Sequence, residues 1–355
     1  MKLHQIRVGR PIACLLAFMT VTAMFGVVCA ASAEQLIKIA HPNRNDPLDN
    51  GTAAMAVVFK NQVEANSGGD IRVDIYPEGQ LGKDSEVIKL VKDGVIQSAI
   101  STVAGIARIY PLIGILDLPF AYPSIASTYE VLDGPFGQRL SADITRKTGL
   151  HVLSYGDSGG FFAITNSRRV IKSPTDMMGL RIRTMGLETH NIIIRSLGGE
   201  PINIAFSELY SALQTGVVDG QMNPIPIIRF GQLDQVQKYI TVTRLIFAPY
   251  VWVMNVEFWN KLSEEQRALV DDASHSAIVA DRGLNRIIEA SDRGLPSLKQ
   301  RMDVYVPSQT ELVQFREAAE PAVKEYIQKT FGSEGAELQD ALVAAIEQTR
   351  NRVSR

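Results

Sequence analysis

Past residue 34 the chain alternates short apolar runs with longer amphipathic ones, the pattern of an α/β protein in which strands alternate with helices. Residues 36–40 read as a strand and 51–66 as a helix. Gly68-Gly69 breaks that helix before a strand at 71–76, where Val73 and Ile75 alternate with Arg72 and Asp74. After the turn at Pro77-Glu78-Gly79, Val87, Leu90 and Val91 share one face of a helix over 85–92. Asp93-Gly94 ends it ahead of a strand at 96–102. The alternation resumes beyond His151 with strands at 152–155, 161–165, 180–184 and 217–222 and helices at 188–197 and 206–213. The glycine cluster between Gly156 and Gly160 marks a crossover between sheets, because glycine lets a strand turn out of one sheet without backbone strain. Ser263-Glu264-Glu265-Gln266 is a capping box that opens a helix running to about residue 291, with Leu269, Ala273, Ala277, Leu284 and Ile288 on its apolar side. A helix of that length exceeds one domain core and can brace two, with Gly283 a place for it to bend. Helices near 311–330 and 336–350 close the chain.

The first 33 residues follow a different rule. Lys2, Arg7 and Arg10 precede an almost wholly apolar run over 12–28, and Ala31-Ser32-Ala33 supplies small residues for cleavage, the three-part layout of a secretory signal peptide. A membrane anchor fits less well, since the run is marginally short for a span. A lipoprotein start at Cys29 is disfavoured by the bulky Val28 before it. With cleavage near Ala33 the mature chain begins at Glu34, its formal charge moves from -2 to -5, and it keeps neither Cys14 nor Cys29. Thiol catalysis, cysteine zinc sites and disulfides are thereby excluded from it. The near balance of 36 basic and 38 acidic residues leaves no surplus for a nucleic-acid face. No later stretch approaches the roughly 20 apolar residues of a spanning helix, so an exported, soluble protein is expected.

Enzyme signatures do not assemble. Gly156-Asp157-Ser158-Gly159-Gly160 matches the pentapeptide around a chymotrypsin-like serine nucleophile, yet that fold is all-β and orders its triad His, Asp, Ser. Here His41 and His151 are the only bases early enough, and neither lies in a catalytic segment. The histidines never fall at the i, i+4 spacing of a helical metal pair, and no phosphate-binding glycine fingerprint occurs. Neither a metal nor a cofactor is expected, and no enzyme activity. An exported hydrolase using Ser158 is the rival reading.

Arg183 stands near the end of an apolar strand, where a charge is costly unless paired. Its planar fork suits a carboxylate, supplied either by an Asp or Glu of the chain or by a ligand. The surrounding segments are distinctive: YPEGQLGKDSEVIKLVKDG from Tyr76, LDLPFAY from Leu116, GLRIR from Gly179, ELYSALQTGVVDGQMNP from Glu208 and VQKYITVT from Val236. In this order, and over essentially the whole mature chain, they resemble the substrate-binding subunit of a tripartite ATP-independent periplasmic (TRAP) transporter of the DctP type. The resemblance implies an α/β two-lobed clamshell with crossing strands and a long helix spanning both lobes. Lobe I is expected over 34–157 plus about 246–286, and lobe II over 158–245 plus about 287–355. It implies capture of a small organic acid and delivery to the small and large integral membrane subunits of a TRAP permease, with no nucleic acid involved. Arg183 would pair with the ligand carboxylate, Asn223 would orient the ligand and Phe206 would pack on it. Phe161, Phe162, Tyr250 and Trp252 are candidate walls, and Thr102, at the end of its strand, is a further candidate ligand-binding residue. Two positions depart from the family pattern: no arginine precedes Thr165-Asn166, and Met222 replaces the glutamate of QENP. Both make the cleft less polar and favour a monocarboxylate with an apolar or hydroxylated body over a short dicarboxylate. A phosphonate or sulfonate is the alternative anion.

Overall fold

The computed structural model describes residues 34–353, so the expected signal segment and its cleavage near Ala33 lie outside the described residues. The described strands are β1 (Gln35–Ala40), β2 (Ile71–Tyr76), β3 (Ser98–Thr102), β4 (Leu150–Gly156), β5 (Phe162–Asn166), β6 (Arg181–Thr184), β7 (Glu200–Asn203), β8 (Gly220–Pro224), β9 (Tyr239–Thr241), β10 (Tyr250–Asn255) and β11 (Asp303–Tyr305). They form two sheets, ordered β2-β1-β3-β10-β4 and β11-β9-β5-β8-β6-β7. In the first sheet β1 runs parallel to β2 and β3, while β10 is antiparallel to β3 and β4. In the second, β6 is parallel to β7 and β8, and β5 is antiparallel to β8 and β9.

The expected helix at 51–66 is present as Gly51–Asn66, entered where the Asn50 side chain accepts a hydrogen bond from the Ala53 amide at 3.1 Å. The expected strand at 217–222 begins later, at Gly220, because Gly216 turns with φ 72° and leaves Val217 exposed. Four strands escape the alternation rule. All six residues of β10, Tyr-Val-Trp-Val-Met-Asn, are buried, so polar and apolar positions do not alternate. β7, β9 and β11 are only three or four residues long.

The chain crosses between the sheets twice, after β4 and before β10, and the two crossings lie side by side. Phe162 and Ile246 are joined by a backbone hydrogen bond of 2.9 Å, and the Ser158 hydroxyl donates to the Ala248 carbonyl at 2.7 Å. The first crossing is built on Asp157. One of its carboxylate oxygens accepts from the Gly159 and Gly160 amides, and the other from Tyr129 and Arg286. Gly159 (φ 121°) and Gly160 (φ 96°) take backbone angles that a side chain would oppose.

Helix Glu264–Ala290 runs unbroken through Gly283, packs along helix Gly51–Asn66 and reaches helix Ile225–Phe230 beside the second sheet, bracing both lobes. The C-terminal segment Gln309–Val353 is two helices in sequence, interrupted at Gly332 (φ 55°, ψ -137°). These helices lie against Ile125–Asp133 and Pro135–Thr148, which flank the first sheet, and against Glu188–Ser196 of the second half. A core from Val87 through Phe162 and Phe247 to Leu342 therefore continues from one half into the other.

Candidate functional site

Sheet residues gather at the carboxyl ends of strands, where backbone groups run out of ladder partners and open α/β sheets form their crevices. β6 carries Arg183, β8 carries Asn223, β7 ends at Asn203 and β3 ends at Thr102; all four line one cleft of about 580 Å³ between the sheets. Register explains the grouping on the second sheet. Arg183 sits opposite Gln221, and Asn223 lies two residues farther along the same strand, so the three share a face.

Arg183 is 2 % exposed, its Nε donates to the Ile204 carbonyl at 2.8 Å, and its Nη1 is buried without a hydrogen-bond partner. Burial pulls the guanidinium down to about 10, opposed by the nearby Asp84 carboxylate, so it remains cationic at neutral pH. No ion pair joins it to a carboxylate of the chain among the described residues. Asp84 opens helix Asp84–Lys92 and faces the same cleft. Its Oδ2 accepts from the Thr102 hydroxyl at 2.5 Å and the Thr102 amide at 3.3 Å. Burial raises the Asp84 pKa, and the Thr102 hydrogen bonds and Arg183 counter that shift.

The other expected residues divide. Asn223 lines the cleft with its amide donated to Gln221 at 2.5 Å, and Phe206, Phe162 and Tyr250 contribute walls. The Tyr250 hydroxyl accepts from Asn43 at 2.9 Å, and burial raises its pKa to about 12. Trp252 and Phe161 belong elsewhere. Trp252 is fully buried, packed edge-on against Phe59 at 4.8 Å with its Nε1 donated to Ser98, because it shares a face with Tyr250 but lies two residues farther along β10, away from the strand end that borders the cleft. Phe161 packs at 6.2 Å against Phe247 and beneath the Arg244 guanidinium. Ser158 does line the cleft, but its hydroxyl is held by the Ala248 carbonyl rather than by a base.

The sequence reading missed Asp84, Asn43 and Asn203 as cleft residues. Asp84 lay within the QLGKDSE segment already singled out, and its position as first residue of a helix facing the arginine strand was the missing information. At the mouth, Lys83 reaches Glu208 across the cleft at 3.4 Å, joining the two lobes. Among the described residues no three His, Cys, Asp or Glu side chains converge as a metal site.

The sequence matches the family described as bacterial extracellular solute-binding protein, family 7, over residues 44–330. The chain belongs to that family. A relative from Verminephrobacter eiseniae, named as a solute-binding protein, is 32% identical over 294 residues, which cover 82% of this chain and 83% of the relative. Among solved structures, a TRAP periplasmic solute-binding protein from Polaromonas bound to D-erythronate is 31% identical with a TM-score of 0.79, covering 88% of this chain and 99% of that one. A second, from Bordetella with density assigned as pantoate, is 30% identical with a TM-score of 0.78, covering 88% and 98%. The two-lobed TRAP solute-binding fold is thus common to this solute-binding protein and to those structures.

Proposed function

We propose that the cleft captures a small hydroxylated monocarboxylate, with its carboxylate on Arg183, and that the closed protein delivers it to the integral membrane subunits of a TRAP permease. The observation that carries this reading is the buried Arg183 guanidinium, one terminal nitrogen unpartnered, at the wall of a cleft large enough for a small organic acid. Its planar fork suits two parallel hydrogen bonds to a carboxylate, and exclusion of water on closure strengthens them. Asp84 opposes a second ligand carboxylate while offering an acceptor for hydroxyls, as do Asn203 and Asn223. D-erythronate and pantoate, the acids named for the two relatives, have this character.

In this reading lobe I comprises 34–157 with about 246–286, lobe II the remainder, and the crossings after β4 and before β10 act as the hinge. The chain is exported to the periplasm with cleavage near Ala33, and it binds its ligand without covalent chemistry. Calorimetry of the mature protein against D-erythronate, pantoate, succinate and a small phosphonate tests the ligand class, with a hydroxylated monocarboxylate expected to bind tightest. Arg183→Lys, which keeps the charge but loses the fork, is expected to lose about 2 to 5 kcal/mol of binding. Affinity near that of the parent in this variant refutes the clamp, and preference for the phosphonate transfers the site to that anion.

A further inference from the structure

A second concavity, of about 300 Å³, shares no lining residue with the ligand cleft. Its walls come from both halves of the molecule. Arg44 and Asp49 lie between β1 and helix Gly51–Asn66, Arg229 lies on helix Ile225–Phe230, and Arg301 follows the short helix Leu295–Leu298.

The charges gathered here do not cancel. Asp49 takes Arg229 at 2.7 Å and Arg293 as well, so one carboxylate faces two guanidiniums. Arg301 pairs with Asp234 at 3.0 Å. Arg44 meets no carboxylate among the described residues; its Nη2 donates to the Phe230 carbonyl at 3.1 Å and its guanidinium lies over the Phe230 ring. Four arginines against two aspartates leave an excess of two positive charges at one concavity, on a chain whose formal net charge is -2. Like charges held this closely repel, and an anion between them relieves the repulsion. A guanidinium carries five N–H donors, yet Arg44, Arg229 and Arg301 each use a single nitrogen toward the protein. Capping of a helix end accounts for Arg44 Nη2 alone, since Arg229 and Arg301 donate to side chains.

We propose that this rim concavity is a second binding site, for a tetrahedral oxyanion such as sulfate or hydrogen phosphate, and that the bound anion holds the lobes together. A dianion matches the two excess charges. A tetrahedral ion also offers oxygens to arginines on opposite walls, whereas a planar carboxylate offers two oxygens on one side. Arg44 belongs to lobe I and Arg229 and Arg301 to lobe II, so the donors converge in the closed arrangement. The anion therefore favours the closed form and, by linkage, capture of the organic acid. That coupling rests on the reading of the cleft given above; the anion site itself does not.

Calorimetry of the mature protein with D-erythronate and pantoate, in sodium sulfate or in sodium chloride at matched ionic strength, reads the coupling. The apparent Kd is expected to fall about fivefold in sulfate and to reach a plateau. The plateau separates a bound ion from the general exclusion of sulfate from protein surfaces, which grows steadily with concentration. Sulfate bound at Arg183 would instead compete with the organic acid and raise the Kd, so a rise, or no change, overturns the proposal. Arg44→Gln and Arg301→Gln, both at exposed side chains, are each expected to move the sulfate response to about tenfold higher concentration. A response unmoved in both variants overturns it too. If the parent protein binds neither acid, the cleft reading has failed, and titration with sulfate alone decides the anion site. Saturable binding that survives Arg183→Lys and is lost when Arg44→Gln and Arg301→Gln are combined leaves the site standing; its absence from the parent overturns the site as well.

Discussion

Arg183 and Asp84 divide the chemistry of the cleft. In the proposed reading Arg183, buried without an internal carboxylate partner, serves as an anion site kept open, because pairing it within the chain would satisfy the charge permanently. Asp84 lowers the positive potential around it and disfavours a second anionic group on the ligand. Asp84→Asn removes that charge at nearly constant shape. Succinate affinity is expected to rise by about tenfold relative to D-erythronate, roughly one charge interaction at the effective dielectric of a partly buried site. Competition calorimetry reads the ratio, and an unchanged ratio assigns the discrimination to shape rather than charge.

The strand that presents Arg183 is held at its other end by a carboxylate between two arginines. Asp219, just before β8, accepts from Arg181 Nε at 3.1 Å, from the Arg181 amide at 3.0 Å and from Arg168 Nε at 2.8 Å, and its side chain is 5% exposed. Burial by itself would raise this carboxyl, but the hydrogen bonds from Arg181 and Arg168 outweigh it and bring the pKa down to about 2. Because the folded value is depressed, the stabilisation is complete above the ordinary carboxylate range near pH 4 and is lost as the pH falls through about 2. Asp219→Asn should therefore cost about 2 kcal/mol at pH 7. In thermal melts its deficit against the parent protein should shrink below about pH 4 and close near pH 2. A deficit independent of pH would mean that packing, rather than the ion pair, anchors β6 to β8.

Across the whole molecule, closure is secured at the rims as well as at the ligand. Asp49, at the entry to helix Gly51–Asn66, receives Arg229 at 2.7 Å and also Arg293, while Arg44 donates to the Phe230 carbonyl at 3.1 Å and lies 4.6 Å over the Phe230 ring. The Arg229 and Arg44 contacts tie the first-sheet half to helix Ile225–Phe230, and under the hinge motion proposed above they belong to the closed form. A ligand shifts the open-closed balance by its differential affinity for the two forms, so weakening a rim contact costs binding without touching the ligand. Asp49→Ala is expected to raise the Kd about threefold, in keeping with the modest worth of partly exposed ion pairs. Small-angle scattering should show a larger fraction of open molecules at subsaturating ligand, and an unchanged Kd would place closure on the cleft contacts alone.

The hydrophobic pattern was sufficient for the α/β class, for the glycine crossover and for the capped bracing helix, because each depends on neighbours within a few residues in the chain. The family motifs likewise pointed to Arg183, Asn223 and Phe206 as cleft residues, since their positions are written into short segments of fixed spacing. Strand β10 was hidden because burial on both faces erases alternation, and Trp252 was taken as a wall because, with the strand unrecognised, its distance from the cleft end of that strand could not be assigned. Asp84 facing Arg183 and the rim contacts of Asp49 join residues far apart in the chain. Only the packing of the two sheets brings them within reach, so their electrostatic coupling was decided by the tertiary structure.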